Sequence, residues 1–383
     1  MKTKILFFTS SRSEYGLLKP LIDCLNNHPK FEVSIIVAGA HFIEEQGSTY
    51  LEIINDGFQI NKKIDYLKTK KAKSDIIYAN AILQIEFNDY LKANPTDILI
   101  IMGDRSELIP VVSTAMLTGT PVAHISGGEI TEGSTDNQVR HAVTKMSHLH
   151  FTATEQYKSN ILKMGEEEWR ICVCGEPGLD SVSKLAYISK DDLFQTLGLN
   201  KDKKTILSTF HSETIGNKID AKFIKNLVVN LIKNDKYQML FTAANVDIGG
   251  VEINNTIERL AKKFSNVVFV KSLGKLKYYS MLKYADLMLG NSSSGIVEAQ
   301  SFNLPVINVG NRQKGRLRNK NVMDVNVNHE KIIEKISFLF CNQHSLKSYT
   351  SNNIYGTGNS SLIIAEFLQK VDLKKLNLKK TVF

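Results

Sequence analysis

The stretch that decides the fold is residues 287–316, LMLGNSSSGIVEAQSFNLPVINVGNRQKGR. Its pattern predicts an apolar strand over 287–289, a polar turn over 290–295, a helix to about residue 302 and a second apolar strand over 306–309. Such a strand–helix–strand unit belongs to a parallel sheet. Its polar turn lies at the carboxyl end of a strand, where open parallel sheets bind their ligands.

The same turn carries groups that suit a nucleotide diphosphate. The backbone N–H groups of Ser292, Ser293 and Ser294 lie at the positive end of the predicted helix dipole, which favours a phosphate. Glu298, one turn inside this helix, would repel a phosphate, but it can accept hydrogen bonds from a ribose diol. We therefore predict that phosphates bind the serine turn and that ribose binds Glu298.

Strand-like and helical stretches alternate along the whole chain, which predicts parallel sheets covered by helices on both faces. In the first half, strands are predicted at 4–8, 33–37, 98–102, 122–125, 150–152 and 171–173, and helices near 15–26, 74–92, 107–117, 137–147 and 156–164. In the second half, strands are predicted at 205–209, 239–242, 267–270, 287–289 and 306–309, and helices near 221–233, 252–264, 277–284 and 293–302. A last helix is predicted over 360–372.

Two such runs in 383 residues predict an α/β protein of two doubly wound domains, because the chain is too long for one ordinary core. The boundary is placed in the sequence GEPG, which ends at Gly178. Residues 1–178 would form the N-terminal domain and residues 179–360 the nucleotide-binding C-terminal domain. The last helix could belong to either domain, and the segment 361–383 could pack back on the first.

The composition narrows the choice of partners. The formal net charge is +9, part of it in the runs Lys68–Lys73 and Lys374–Lys380. Because no aromatic residues are interleaved with these lysines, we interpret the runs as solvated surface and expect no nucleic-acid partner. A mild positive excess also suits an anionic substrate.

Cysteine usage and hydropathy indicate a cytoplasmic protein. The four cysteines show no Cys-x-x-Cys pairing and are interpreted as reduced and structural. The first apolar run, Ile5–Phe8, is a buried strand too short for a signal peptide. No apolar run approaches the roughly 18 residues that cross a bilayer, so no membrane partner is expected.

Two turns in the first half carry charged residues at predicted strand ends. Arg12 follows the first strand and could bind a diphosphate through two hydrogen bonds, although an exposed turn arginine is the alternative. Asp104 and Arg105 follow a later strand, where a structural ion pair is the alternative to a site. The chain lacks Gly-x-Gly-x-x-Gly and Walker A patterns, so nothing indicates NAD or ATP.

The stretch from His124 to His141 is rich in glycine and in acidic and basic residues. Its glycines would let the backbone approach a ligand closely. Asp136 could be a helix N-cap or a site residue, and Arg140 lies in the first turns of the helix that follows. No zinc-site spacing is present, and we predict no catalytic metal. In the second half, His211, Asn245 and Asp247 follow two further strands, which favours a cleft shared by the two domains.

With these residues in place, the chain resembles the hydrolysing UDP-N-acetylglucosamine 2-epimerases of sialic acid and related nonulosonic acid pathways, over almost its whole length. The resemblance rests on RSEY at 12–15, GDR at 103–105, GGE at 127–129, DNQVRHAVTK at 136–145, GNSSSG at 290–295, PVINVGNRQKGR at 305–316 and NIYGTG at 353–358. It implies a GT-B-like architecture, with two Rossmann-like domains around an interdomain cleft that binds a UDP-sugar. It also implies no cofactor and a homodimer or homotetramer.

The reaction that the resemblance implies is an elimination followed by a hydration. UDP leaves C1 as C2 loses its proton, which gives a 2-acetamidoglycal; water then adds and C2 is reprotonated on the opposite face. The C2–H bond is poorly acidic by itself, but oxocarbenium character at C1 acidifies it. The site must therefore stabilise departing diphosphate and hold groups for proton transfer.

Residue by residue, the resemblance matches Asp104 and Asp136 to catalytic acids and Arg105 and His211 to substrate contacts. We add Glu129 as a catalytic candidate, and His211 as well because it could stabilise the departing diphosphate. The positions matched to UDP binding are Asn245, Ser292, Ser293, Glu298 and Arg312. The remaining residues assigned to substrate binding are Arg12, Gly16, His41, Ser126, Asn137, Arg140, His141 and Asp247.

Two residues depart from the family pattern. Several relatives have a glutamate, thought to be catalytic, at the position of Ser126, and many have a second acid where this chain has Asn137. Glu129 or His141 could compensate. The departures could also mark a different sugar, so UDP-2,4-diacetamido-2,4,6-trideoxyglucose is the alternative to UDP-N-acetylglucosamine. A glycosyltransferase and a nucleotide-binding regulator are further alternatives.

Overall fold

The computed structural model describes residues 2–44, 47–67, 74–132, 136–182, 184–212, 219–233, 236–244, 249–341 and 352–382. The chain forms two compact units. The first comprises Met1–Glu129, Thr135–Ser183 and Ile354–Phe383, and the second comprises Ile130–Ser134 and Lys184–Asn353. The basic run Lys68–Lys73 lies outside the described residues.

The first unit is built on a parallel sheet of seven strands. The strands are β1 Thr3–Thr9, β2 Phe31–Ala38, β3 Lys62–Ile64, β4 Ile98–Met102, β5 Val122–Ile125, β6 Leu149–Thr152 and β7 Ile171–Val173, in the order β3-β2-β1-β4-β5-β6-β7. The helices between them are α1 Arg12–Asn26, α2 Tyr50–Asn55, α3 Ser74–Ala93, α4 Leu108–Leu117, α5 Asp136–Met146 and α6 Glu155–Lys163. Helices cover both faces, so every residue of β4 is buried, as expected for a continuous apolar run.

The second unit repeats this design with six parallel strands. They are β8 Lys204–Thr209, β9 Tyr237–Thr242, β10 Val267–Val270, β11 Leu287–Gly290, β12 Val306–Val309 and β13 Val322–Val325, in the order β10-β9-β8-β11-β12-β13. Its helices are α7 Lys190–Leu197, α8 Ala221–Ile232, α9 Gly250–Lys263, α10 Gly274–Tyr284, α11 Ser293–Val297 and α12 His329–Cys341. Helix α8 buries Phe223, Ile224, Leu227 and Leu231, the spacing of one helical face.

After the second unit the chain returns to the first with α13 Ser360–Lys370 and α14 Leu373–Leu376. The Asp180 carboxylate accepts hydrogen bonds from the backbone N–H groups of Ser360 (2.8 Å) and Ser361 (2.7 Å), which ties residues after Gly178 to the first unit. The division thus differs from the sequence-based one at residue 178: the chain enters the second unit at Lys184.

Each sheet has one place where the strand order reverses. In the first sheet it lies between β1 and β4, and in the second between β8 and β11. Connections from the two neighbouring strands run to opposite faces there, which opens a crevice at their carboxyl ends. Residues that follow these four strands are therefore best placed to bind a ligand.

Every strand predicted from the alternation is present, but β3 and β13, each at one edge of its sheet, were missed. Their sequences, KKI and VMDV, contain charged residues and are only partly buried, so they lack the apolar run on which the prediction relies. Helices α2, α7, α12 and α14 were also missed. The predicted helix over 293–302 divides into α11 and a separate 3₁₀ turn, Ala299–Phe302.

The basic C-terminal tail is partly held against the first unit. The fully buried guanidinium of Arg170 donates hydrogen bonds to the carbonyl oxygens of Leu376 (3.0 Å) and Leu378 (3.1 Å). The Lys379 ammonium lies 2.9 Å from the buried Glu166 carboxylate. The interpretation of this run as solvated surface is therefore wrong for Lys379. In the part of the chain that the structure describes, no helix is long and apolar enough to cross a membrane.

We predict that Arg170→Ala lowers the free energy of unfolding by about 3 kcal/mol. The substitution removes the buried hydrogen-bond donor of two carbonyl oxygens in the tail and of the Glu167 carboxylate. Urea unfolding measures the change, and limited proteolysis should show earlier cleavage of the tail. Lys62→Ala, which breaks a half-exposed pair with Glu86, is the control and should cost less than about 1 kcal/mol. Equal losses in both variants would contradict this account of the tail.

Candidate functional site

The turn after β1 holds a buried carboxyl group that the sequence analysis did not single out. Oε2 of Glu14, in the first turn of α1, accepts hydrogen bonds from the backbone N–H (2.7 Å) and hydroxyl (3.0 Å) of Ser10. Its other oxygen, Oε1, is buried without a hydrogen-bond partner. Burial raises the pKa of Glu14 to about 7, so the group is close to half protonated at neutral pH.

His41 lies beside this turn, in a 3₁₀ turn that follows β2. Its Nε2 is 3.1 Å from the hydroxyl of Thr9 and its Nδ1 is 2.8 Å from the hydroxyl of Thr49. Burial lowers the pKa of His41 to about 4, so the ring is neutral at pH 7. The imidazole thus links the carboxyl end of β1 to the loop before α2.

Arg12 and Gly16 lie on either side of Glu14 in the first turns of α1. The Nε of Arg12 is 2.7 Å from Glu52 Oε1, and both side chains are partly exposed. A methyl group built on Gly16 would meet no atom within 4 Å. Arg12 therefore offers a positive charge, and Gly16 an open surface, at the amino end of α1.

The loop after β4 places its charges differently from the ion pair considered in the sequence analysis. Arg105 donates through Nε to Glu107 Oε1 at 2.6 Å, whereas Asp104 forms its ion pair with Arg140 of α5. The almost fully buried Arg140 also donates to the carbonyl oxygen of Glu129 (3.1 Å) and lies 3.9 Å from the Glu129 carboxylate. One arginine therefore joins Asp104 and Glu129 in a single charged cluster.

Helix α5 carries three further predicted site residues. Asp136 is exposed in its first turn, with Asn137 beside it, and Arg140 follows four residues later on the same face. Nδ1 of His141 is buried and has no hydrogen-bond partner. Burial, aided by the Arg140 charge, lowers the pKa of His141, so its ring is neutral at pH 7 and able to accept a proton.

The two glycines after β5, Gly127 and Gly128, lie where neighbouring atoms leave little or no room for a side chain. A Cβ on Gly128 would lie 2.4 Å from the carbonyl oxygen of Tyr157, and one on Gly127 would lie 3.0 Å from the Thr144 hydroxyl. That these glycines also let the backbone approach a ligand closely stays a prediction. Ser126, just before them, has φ +63° and donates its hydroxyl to Glu176 Oε1 at 3.0 Å.

In the second unit, Asn291 joins the two strands at which the order reverses. Its side chain accepts from the His211 N–H (2.7 Å) and donates to the His211 carbonyl (2.8 Å). Its own carbonyl oxygen accepts from Arg312 (3.2 Å) and Gln313 (3.0 Å). Burial and the Arg312 charge lower the pKa of His211 to about 3. The histidine is thus neutral, and Arg312 supplies the positive charge.

The serine turn after β11 differs in two ways from the predicted one. Ser292 is the N-cap of a single-turn helix, and its hydroxyl accepts from the Ser294 N–H at 3.4 Å, so that amide already has a partner. Ser293 is the first residue of the helix. Glu298 lies between α11 and the following 3₁₀ turn and not one turn inside a longer helix.

Two tyrosines of α10 hold this turn. Tyr278 donates its hydroxyl to Ser294 Oγ at 2.7 Å, and Tyr279 donates to Glu298 Oε1 at 2.8 Å. No motif marks these tyrosines in the sequence, so they could not be predicted from it. Glu14, Glu176 and Asn291 lie in the quoted stretches RSEY, GEPG and GNSSSG, but none of the three was singled out. Asn245 and Asp247 lie outside the described residues, and their assignment stays a prediction.

Comparison with known proteins gives one consistent family. Residues 23–369 match the family described as UDP-N-acetylglucosamine 2-epimerase. The chain is 37% identical over 328 residues to the hydrolysing GDP/UDP-N,N'-diacetylbacillosamine 2-epimerase of Campylobacter jejuni, covering 85% of each chain. It is 33% identical over 381 residues to the hydrolysing UDP-N,N'-diacetylbacillosamine 2-epimerase of Legionella pneumophila, covering 99% of each.

Solved structures show the same fold. The UDP-GlcNAc 2-epimerase of Neisseria meningitidis bound to UDP-GlcNAc matches with a TM-score of 0.83 at 20% identity, covering 96% of this chain and 100% of that one. At this identity the likeness concerns the fold alone. It confirms the predicted class, an α/β protein of the GT-B-like kind with two Rossmann-like units.

We predict that the Glu14 carboxyl makes stability depend on pH. With a folded pKa of about 7 against 4.5, the folded state binds more protons than the unfolded state between these values. Stability therefore falls as the pH rises from 4.5 to 7, by about 3 kcal/mol in total, and is flat above. In Glu14→Gln, which cannot ionise, urea unfolding at several pH values should lose this slope.

The matched control is Glu155→Gln, which alters an exposed acid in the first turn of α6 and should keep the wild-type slope. Identical pH dependence in wild type and Glu14→Gln would contradict the raised pKa of Glu14.

Proposed function

The chain belongs to the UDP-N-acetylglucosamine 2-epimerase family. We propose that it is a hydrolysing UDP-sugar 2-epimerase whose preferred substrate is UDP-N,N'-diacetylbacillosamine. This compound is the UDP-2,4-diacetamido-2,4,6-trideoxyglucose named above. The observation that carries the proposal is the content of the two crevices. At the first, Asp104 follows β4 and is joined through Arg140 to Glu129, which follows the adjacent strand β5. At the second, Asn291 and Glu298 follow β11, and Arg312, from the loop after the adjacent strand β12, donates to the Asn291 carbonyl oxygen.

The reaction proceeds in two steps. In the first, the bond from C1 to UDP breaks and C2 loses its proton, which leaves a 2-acetamidoglycal. In the second, water adds at C1 and C2 takes a proton on the opposite face. The enzyme must therefore stabilise a departing diphosphate, remove a proton from carbon and return one from the other side.

The second unit supplies the nucleotide site in this proposal. Arg312 and the turn at Ser292 and Ser293 bind the diphosphate, and Glu298 accepts hydrogen bonds from ribose. His211, neutral because of its low pKa, contributes as a hydrogen-bond donor and not as a cation. Asn245 and Asp247 are proposed to complete the site.

The first unit supplies proton transfer. Asp104 and Asp136 are the proposed acid–base pair, with Arg140 fixing the orientation of Asp104 through their ion pair. Many relatives have an acid at the position of Asn137. In this chain we propose that the neutral ring of His141 accepts the proton instead. Glu129, which Arg140 joins to Asp104, is a further proposed catalytic acid. The other proposed contacts to the substrate are Arg12, Gly16, His41, Arg105 and Ser126.

The choice of sugar rests on the relatives. Two relatives, at 37% and 33% identity, are named for diacetylbacillosamine nucleotides, which favours this substrate over UDP-N-acetylglucosamine. A third, the polysialic acid biosynthesis protein P7 of Escherichia coli, is 31% identical and its name gives no sugar nucleotide. UDP-N-acetylglucosamine is the second candidate, supported by the family description and the Neisseria structure. Because the name of the Campylobacter relative includes GDP, the nucleotide needs its own test.

An NMR time course with purified protein and each of the two UDP-sugars tests the proposal, with the GDP form of the preferred sugar as a third arm. We expect UDP and a free, 2-epimerised sugar, with at least about tenfold higher kcat/KM for the diacetamido substrate, a difference of about 1.4 kcal/mol. Asp104→Asn is the control and should lose about 10²–10⁴-fold in turnover. Sugar released only with an added acceptor would indicate a glycosyltransferase instead.

We predict that solvent hydrogen enters the product. Because C2 loses its proton on one face and regains one on the other, reaction in D₂O should place deuterium at C2 of the released sugar. In H₂¹⁸O the label should appear at C1, since the C1–O bond breaks and water adds there. Mass spectrometry and NMR of the product read both labels. Protium at C2 after full turnover in D₂O would sink the elimination mechanism.

We also predict that Glu298→Ala weakens UDP binding by about 1–3 kcal/mol, or roughly 5- to 150-fold in Kd, because ribose hydroxyls lose a charged acceptor. Isothermal titration calorimetry measures the affinity. Glu252→Ala, which removes an exposed acid at the start of α9, is the control and should bind UDP as wild type does. An unchanged Kd in Glu298→Ala would remove Glu298 from the ribose site.

A further inference from the structure

Ser126 has a backbone conformation that a serine seldom adopts. It follows the last residue of β5 and has φ +63°, in the left-handed region that costs a non-glycine residue about 1–3 kcal/mol. Its N–H still donates to the carbonyl oxygen of Phe151 at 3.0 Å, so the neighbouring strand fixes this position. Glycine would adopt the same backbone without strain. What serine adds at this cost is a hydroxyl group.

That hydroxyl is directed to a buried carboxylate. Ser126 Oγ lies 3.0 Å from Oε1 and 3.3 Å from Oε2 of Glu176, and both residues are less than a tenth exposed. Glu176 follows β7, and its N–H donates to the carbonyl oxygen of Tyr355 at 2.8 Å. A carboxylate in such a place is costly unless it is hydrogen-bonded, so the serine and the glutamate depend on each other.

The pair lies beside the proposed proton-transfer residues. Met102, the last residue of β4, is paired with Ile125, the last residue of β5, and the Gly103 N–H donates to the Ile125 carbonyl oxygen at 3.1 Å. Asp104 and Ser126 therefore leave neighbouring strands at the same level of the sheet. This level is the carboxyl edge, where a parallel sheet binds its ligand.

We propose that Ser126 and Glu176 form a hydroxyl–carboxylate pair that removes the proton from the water molecule that adds to the glycal. The proposal rests on the hydrolysing 2-epimerase reaction argued above. As the water oxygen bonds to C1, one of its protons passes to Ser126 Oγ and the serine proton passes to Glu176. The electron pair of the C1–C2 double bond meanwhile takes a proton at C2 from an acid of the site. Glu176 later returns its proton to solvent.

The chemistry of the pair assigns it to the hydration step. A hydroxyl group exchanges protons readily with another oxygen, whereas an unactivated serine is far too weak a base to take a proton from C2. In this arrangement Glu176 acts on the water through Ser126, as a positioning and proton-accepting residue behind the serine. Elimination of UDP should consequently proceed without the pair, and conversion of the glycal should not.

Two variants test this inference by different changes. Glu176→Gln keeps an oxygen that can accept the Ser126 hydrogen bond but cannot take up a proton. Ser126→Gly deletes the hydroxyl while relieving the backbone strain, which offsets part of the cost of removing a hydrogen bond from the buried Glu176. Ser147→Ala is the control, because it removes another buried serine hydroxyl of the same unit, one that donates to the Val143 carbonyl. Thermal unfolding checks all three variants.

The assay follows UDP release and the vinyl proton of the glycal together, by NMR, with the UDP-sugar that wild type hydrolyses. We expect both variants to release UDP, to accumulate glycal and to form the free sugar at least about 10²-fold more slowly than wild type, with UDP affinity unchanged. The Ser147→Ala control should form sugar without accumulating glycal.

Three results separate the alternatives. Wild-type sugar formation by Glu176→Gln would overturn the inference, because a purely structural hydrogen bond survives that change. A parallel fall of UDP release and sugar formation, without glycal, would also overturn it, since the pair would then act before hydration. Wild-type protein that releases no UDP from any tested nucleotide sugar would instead overturn the proposed function.

Discussion

The reversal of strand order in each sheet is the constraint on which the candidate site depends. Two parallel strands must be joined by a crossover connection that passes over one face of the sheet. The connections from adjacent strands usually lie on the same face and cover the carboxyl ends of those strands. Where the order reverses, at β1 and β4 and again at β8 and β11, neighbouring chains diverge and leave their strand ends uncovered. Glu14, Asp104, His211 and Asn291 all follow one of these four strands, and so owe their positions to topology more than to local sequence.

Burial at these edges decides which groups carry charge. His41, His124 and His211 all have pKa values lowered by burial, to about 4, 3 and 3, so none is a cation at neutral pH. Positive charge is therefore left to arginines, which cannot be neutralised by burial in this pH range. Arg140 balances two carboxylates and Arg312 faces the histidine whose pKa it lowers. On our proposal an anionic substrate therefore contacts arginines, while the histidines serve as neutral donors and acceptors.

Much of the fold could be predicted because buried parallel strands are continuous apolar runs, and such runs are visible in the sequence. The strands β3 and β13 could not be predicted in this way, because their sequences contain charged residues and lack an apolar run. The edge strands β7 and β10 keep apolar runs and were predicted. Individual site residues were visible where they follow a strand in a motif, as Asp104 and Ser292 do. The hydrogen-bond partners of these residues could not be predicted, because they are far apart in sequence. Ser126 and Glu176 are 50 residues apart, and His211 and Asn291 are 80 residues apart. Only the register of the strands brings them together.

Contacts between residues far apart in sequence also show how a reaction can be retained when one residue of a motif changes. A reaction constrains where a proton acceptor lies in space, not which strand carries it. Ser126 cannot act as a carboxylate, but its left-handed backbone directs its hydroxyl to Glu176, which follows a strand two places away in the sheet. On our proposal the carboxylate has moved behind the serine, at the cost of one strained residue and one additional proton transfer between oxygens. Because transfers between oxygens are fast compared with transfers from carbon, such an arrangement suits the hydration step and would not suit the removal of the C2 proton, which stays with groups that can contact C2 directly.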